Sequence, residues 1–296
     1  MMDSSSNTVN EFDHQILQRH AFGIADASMC EALPDGIPES AAALPLVPPE
    51  LAANAHLLPR LIDLRALSPQ QSDALLHGLY QAQQAGTPPP LAMLVASSLG
   101  APEFARYWNS MQLAAPEPGR RVWLRLHDPR VLHQLLRILT LPQWRTLFGH
   151  NDSFTYWVGG EWVRASAAAV PGAVSASAAV SRWDWRRIEL IGAINRALHG
   201  AGVQYAAALA SQGGMAEHLI ERAKQHHGLE HLGDVVEFAV RGLTTHAAFD
   251  EHPAVAAAIR PDPDPAENSS LADRLALIDE QIWAALRQPA NMRHQS

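Results

Sequence analysis

"RVWLRLHDPRVLHQLL", residues 121–136, decides how the most chemically loaded part of this chain is built. In an extended segment side chains alternate between faces, so Val122, Leu124 and Leu126 point one way and Trp123, Arg125 and His127 the other. Asp128 suits a helix N-cap, its carboxylate accepting from the free amides of a first turn. Pro129 then stands at the first helical position, where a missing N–H costs nothing. Val131, Leu132, Leu135, Leu136 and Leu139 recur at helical spacing and form the buried side of the helix. Each residue of "HDPRVL" thus has a structural role in a junction between strand and helix. The functional alternative is a ligand site at the strand's C-terminal end, where open α/β sheets often bind.

Working upstream, "HAFGIADAS" (20–28) is a short apolar strand, and "RLIDL" (60–64) another. Between them, "CEALPDGIPESAAALPLVPPELAA" (30–53) is proline-rich and predicts a surface loop. "SPQQSDALLHGLYQAQQAG" (68–86) predicts a helix, with Ser68 as N-cap, Pro69 at the first position, Leu75, Leu76 and Leu79 in register and Gly86 at the end. "LAMLVAS" (91–97) is an uninterrupted apolar run, as in a strand covered on both faces. "APEFARYWNSMQL" (101–113) is a further helix. Alternation of strands and helices points to a mixed, partly parallel sheet with helices packed on it.

Downstream, Gly159-Gly160 in "FTYWVGGEWVRA" forms a two-residue turn that sets Trp157 opposite Trp162 in a β-hairpin. The run "ASAAAVPGAVSASAAVS" (165–181) marks a change of regime, and beyond it the spacing is helical throughout. "SLADRLALIDEQIWAALRQ" (270–288) predicts one closing helix, with Ser270 and Asp273 as a capping box and Leu271, Leu275, Ile278 and Ile282 in one stripe. That stripe packs on its own lobe or, alternatively, captures a partner. The expected organisation is a loose N-terminus (1–19), an α/β (α+β) lobe with a mixed sheet and a hairpin (20–165), a linker (166–181) and an α-helical lobe (182–296).

With 30 acidic residues against 22 basic ones, the net charge is −8, which disfavours a partner held through nucleic-acid phosphates. Cys30 is the one cysteine, so neither an internal disulfide nor a cysteine zinc site is available. The polar opening "MMDSSSNTVNEFDH" has no secretory-signal pattern, and the run 165–181 is too weakly apolar to span a bilayer. A cytoplasmic protein with no membrane partner is the expectation.

Fifteen histidines invite a metal reading. His227 and His231 are four apart, but Gly228 interrupts a helix there and no third ligand is near. His246 and His252 suit hydrogen bonds within a turn. No nucleophile elbow, phosphate-binding glycine loop or His-Glu-x-x-His occurs. No cofactor and no catalytic residue are assigned. "SRWDWRRIELIG" (181–192) is the most aromatic and basic cluster, through Arg182, Trp183, Trp185, Arg186 and Arg187. Its tryptophans seal the lobe junction, or the cluster is a partner surface, since tryptophan and arginine dominate interface hot spots. Trp157 and Trp162 are further candidates for a partner contact. Arg125 and Arg130 meet either an internal carboxylate, such as Asp26 or Asp63, or an acidic segment of a partner.

The segment "RVWLRLHDPRVLHQLLRILTLPQWRTLFG" (121–149) resembles the central signature of the type VI secretion adaptor family, also called effector chaperones. The matching block is Arg125, Leu126, His127, Asp128, Pro129 and Arg130, followed by Leu147-Phe148-Gly149 and the hairpin tryptophans Trp157 and Trp162. "LAMLVASSLGAPEFARYWNSMQL" resembles the preceding strand and helix. "HHGLEHLGDVVEFAVRGLTTHAAFDEHPAVAAAI" is similar to the family's C-terminal part, with its Phe-x-x-His-Pro. Leu126 and His127 depart from the larger aromatics usual there, as does the insert at 34–50. The resemblance implies a non-catalytic adaptor with two docking surfaces, one for an effector toxin and one for a VgrG-type spike. A hydrolase-type enzyme of the same system and an immunity protein that neutralises the toxin are the alternatives.

Overall fold

Seven strands build one antiparallel sheet in the first part of the chain: β1 (Asn7–Thr8), β2 (Phe22–Ala25), β3 (Ala43–Pro45), β4 (Arg60–Asp63), β5 (Met93–Ser97), β8 (Asn151–Val158) and β9 (Glu161–Ser166). Their order is β1-β9-β8-β5-β2-β4-β3, and β6 (Leu113–Glu117) pairs with β7 (Arg120–Trp123) in a separate two-stranded sheet. The computed structural model describes residues 7–8, 14–26, 43–117, 119–167, 183–260 and 269–287. The chain divides into two compact units, Met1–Trp185 and Arg186–Ser296. Of the expected linker, residues 168–181 lie outside the described residues.

Sequence patterning and structure agree on a sheet-bearing first part followed by helices. They differ on strand direction. All described pairings are antiparallel, because β2 lies between β4 and β5 and runs against both. The connection from β4 through helix α2 (Pro69–Ala85) to β5 therefore joins two strands of the same direction that do not touch. Alternating strand and helix is the signature of a crossover, and the sequence carries no mark of the strand that fills the gap.

Helix α1 (His14–Arg19) and α2 contribute to the core on one face, where Ile16, Leu17, Leu75 and Leu79 pack with Ile62, Leu94, Trp157 and Trp162. The other face is aromatic. Helix α3 (Ala101–Gln112) brings Phe104 to 4.9 Å from Phe22 and Trp108 to 6.0 Å from Phe154. Phe148, at the end of α5 (Leu141–Phe148), stacks on Phe154 at 4.6 Å. Alternate residues of one strand thus serve two cores, which is why "LAMLVAS" is apolar without interruption.

Local signals hold closely. Ser68 accepts from Gln71 N–H in a capping box, and Gly86 ends α2 at φ 64°. Gly159 and Gly160 have φ 64° and 79°, the pair of positive values that a tight hairpin turn demands, and Trp157 faces Trp162 in register. Other signals do not hold. The strand expected through His127 stops at Trp123, where Leu126 N–H turns back to Leu124 O and Asp128 N–H to Arg125 O. The proline-rich segment is not loop throughout: Ala43–Pro45 adds the edge strand β3, and Pro49–Leu57 forms a 3-10 helix. Residues 27–42, with Cys30, lie outside the described residues.

The second unit is helical: α6 (Trp185–Glu189) leads into it, followed by α7 (Ile191–Gly200), α8 (Ala206–Gln225), α9 (Leu232–Thr244), α10 (Pro253–Ile259), α11 (Leu271–Ala276) and α12 (Glu280–Arg287). Its core gathers Ile194, Leu198, Leu219, Phe238, Phe249, Val255 and Trp283. The closing segment is two helices rather than one. Ser270 and Asp273 form the expected capping box, but Asp279 accepts from Gln281 N–H and starts a new helix. The break makes Trp283 and Leu286 the buried anchors, while Ile278 and Ile282 pack at the core's margin. The apolar stripe is thereby used within its own unit.

Candidate functional site

The junction between β7 and helix α4 (Pro129–Ile138) gathers the charged residues of the opening stretch. Asp128 caps α4: its Oδ1 accepts from Arg130 N–H at 3.0 Å. The side chain of Arg130 folds back on the same carboxylate, Nε to Oδ1 at 3.0 Å and Nη2 to Oδ2 at 2.9 Å. Arg125 Nη2 approaches Oδ2 from the other side at 3.9 Å. Burial alone pushes the Asp128 carboxyl up, but the hydrogen bonds and charge of Arg130, with the charge of Arg125, hold it below its ordinary value. Arg130's guanidinium is raised, chiefly by its bond to Asp128. Such a forked pair fixes geometry as well as charge. Three acceptor sites of Asp128 are thereby taken up by Arg130.

His127 lies next to this clamp, 1% exposed. Its Nε2 is 3.9 Å from Oδ2 of Asp26, the buried residue that follows β2. Its Nδ1 has no hydrogen-bond partner among the described residues. Burial pushes its pKa down to about 4 against the pull of Asp26, so the ring is neutral near pH 7. The contact with Asp26 is then polar rather than an ion pair. Trp123 stands over His127 at 5.8 Å between ring centroids, and Arg125 lies 5.8 Å from the Trp123 ring. The Trp123 ring is thus near both Arg125 and His127, although β7 ends at Trp123 and the turns after it, not strand alternation, bring the three together.

The sequence points to Asp26 or Asp63, but the carboxylate that Arg130 grips and Arg125 approaches is Asp128, the helix cap itself. Asp63 caps the 3-10 helix Leu64–Ala66 and pairs with Arg65. The charge of Asp26 also raises the Arg130 guanidinium. Pro129 is buried at the first position of α4.

The tryptophan candidates for a partner contact are placed differently. Trp162 is fully buried and Trp157 nearly so, their rings edge to face at 5.7 Å in the sheet core. Large indoles opposite one another in a hairpin serve packing here, not a surface. Trp183 and Trp185 are also buried, and their rings stack at 6.2 Å. Arg186 pairs with Glu221 and Arg187 with Glu217, both on α8, which ties the start of the helical unit to that helix. Arg182 lies outside the described residues.

His227 does not act with His231: its Nε2 is bonded to Asp250 at 2.8 Å, and Arg222 takes the other carboxylate oxygen. His246 accepts from Ala248 N–H within a turn. Among the described residues no group of three potential ligands could hold a metal ion.

What sequence patterning missed is Trp123 as an exposed residue and Glu50 as the partner of Arg121. The parity of β7 carried part of that signal, since it puts Arg121 on the face of Trp123. Nothing local announces that Glu50 reaches them.

Residues 22–146 match the model of a family described as a domain of unknown function, DUF4123. The matched segment starts with β2 and ends within α5, so it includes Asp26 and the whole clamp from Trp123 to Arg130. The hairpin β8–β9 and the helical unit lie beyond it. No curated protein and no solved structure matches the chain. Among the described residues no helix is long and apolar enough to cross a membrane.

Proposed function

We propose that the chain is a cytoplasmic, non-catalytic adaptor that binds a type VI secretion effector toxin and helps to mount it on a VgrG-type spike. One observation carries this reading. The block on which the resemblance rests, Arg125 to Arg130, holds its carboxylate in a forked pair with Arg130 and turns arginine outward beside the exposed Trp123. A general base needs a free, titratable group within reach of a substrate proton. Here the buried Asp128 is held by three hydrogen bonds from Arg130 and His127 is 1% exposed, while Arg130 and Trp123 face solvent. That distribution suits recognition more than turnover. The match of residues 22–146 covers the same clamp on which the resemblance rests.

The test is co-expression of the tagged chain with the toxin and spike proteins encoded beside it, singly and together, resolved by size-exclusion chromatography. A stable complex with the toxin that also recruits the spike is the expected result. Binding to neither by a well-folded sample overturns the proposal. Binding to the toxin alone, with loss of its activity, replaces it with an immunity protein.

A further inference from the structure

The two-stranded sheet β6–β7 has an open side. Leu124 N–H donates to Gln112 O at 2.7 Å, and Ala114 faces Val122, so the even-numbered residues turn their amides toward β6. Trp123 faces Leu113, the kind of position at which an antiparallel strand directs its N–H and C=O away from its partner. Arg121 has the same parity. Among the described residues no strand pairs with that outer edge.

Side chains at this edge are unusual for the molecule. Trp123 is 37% exposed, and the side chains of Arg121, Arg125 and Arg130 are 64%, 43% and 66% exposed. Their carboxylate partners are not equally presented. Asp128 is buried beneath its arginines, and Glu50 is the exposed one. Three exposed guanidiniums, on Arg121 within β7 and on Arg125 and Arg130 just after it, thus stand out in a chain whose net charge is −8, against one exposed carboxylate partner, Glu50.

We propose that the outer edge of β7 receives an extended, acidic segment of a partner protein as a third strand. Main-chain groups of the segment pair with Arg121 and Trp123, its carboxylates meet Arg121, Arg125 and Arg130, and an apolar side chain lies on the Trp123 ring. Strand addition gives affinity through the backbone, and the flanking side chains select the sequence. The inference rests on the adaptor reading for the identity of that partner, but not for the chemistry of the surface.

The experiment uses the full chain and a fluorescein-labelled peptide of alternating Glu/Asp and Leu, followed by fluorescence anisotropy. A charge-reversed Lys/Leu peptide, an oligo-dT of equal charge and an acidic peptide N-methylated at alternate amides are the comparisons. The acidic peptide binds, and at least about tenfold more weakly to Trp123→Ala and Arg121→Glu, each with an unchanged circular dichroism spectrum. N-methylation abolishes binding. Absence of binding, equal binding by both variants, equal binding of the N-methylated peptide, or competition by oligo-dT as strong as by the acidic peptide overturns the proposal. The two readings fail separately: if Trp123→Ala still forms the toxin complex, this surface is wrong and the adaptor stands. If the unaltered chain forms no complex with toxin or spike, the adaptor reading falls whatever the peptide does.

Discussion

Arg130 reaches back two residues to grip Asp128, Nε on Oδ1 at 3.0 Å and Nη2 on Oδ2 at 2.9 Å, while its own N–H supplies the cap of α4. One carboxylate thereby starts the helix and holds a guanidinium at the surface. Asp128→Ala removes the cap and leaves Arg125 and Arg130 without their common partner, at a cost of about 2 kcal/mol. Asp128→Asn keeps an acceptor for the cap and costs about half as much. Denaturant midpoints at pH 7 read both. An Asp128→Ala protein as stable as its parent, yet unable to bind toxin or spike, would show that the residue serves a partner instead.

Acid sensitivity follows from His127, whose burial holds its pKa at about 4, below its ordinary value of 6.5. As pH falls through 6.5 the unfolded chain takes a proton that the folded chain refuses, so stability declines down to about pH 4 and then levels. The loss is on the order of 3 kcal/mol. Asp128 acts in a separate window. Its folded value is depressed below 3.8, so its contribution is complete above that pH and is lost as pH falls further. His127→Gln should flatten the slope between pH 6.5 and 4 in thermal melts. An unchanged slope would assign it to another group.

Gly149 ends α5 at φ 55°, and a Cβ there would lie 2.6 Å from the Tyr107 ring. Tyr107 does not yield easily, because its hydroxyl donates to Thr146 O and Leu147 O at 2.9 and 2.7 Å. Gly149→Ala meets both a left-handed backbone and a clash, and should cost about 2 kcal/mol or more. Gly86, also at positive φ but with open space around it, is the control. Gly86→Ala should cost about 1 kcal/mol, for backbone strain alone.

In the helical unit, Asp250 joins Arg222 and His227 and is 7% exposed. Removing it strands Arg222, whose side chain is 17% exposed, so Asp250→Ala should destabilise by about 3 kcal/mol. Zinc should neither bind nor stabilise the parent protein if His227 is committed to Asp250. A zinc-dependent rise in Tm would contradict this.

Capping signals were legible because they are local. Ser68, Asp128 and Ser270 each satisfy amides within three residues, and the Gly159-Gly160 turn sets its own hairpin register. The helical spacing after residue 181 identified the second unit for the same reason, to within a few residues of its start at Arg186. The break at Leu277–Asp279 escaped, since a stripe of Leu271, Leu275, Ile278 and Ile282 fits one straight helix equally well. Only the demand of the core for Trp283 and Leu286 selects two.

By itself, then, the sequence determined the elements whose hydrogen bonds close over short spans: the start of α4 at Asp128-Pro129, other helix ends and the tryptophan hairpin. Tertiary structure decided what depends on residues far apart in the chain. It put β2 between β4 and β5, buried Trp157 and Trp162, brought Asp26 beside His127, and left Trp123 at an open edge with Arg121 tied to Glu50. Alternation along a strand states which side chains share a face. Which face is covered depends on helices tens of residues away, and that burial is settled only when the sheet is assembled.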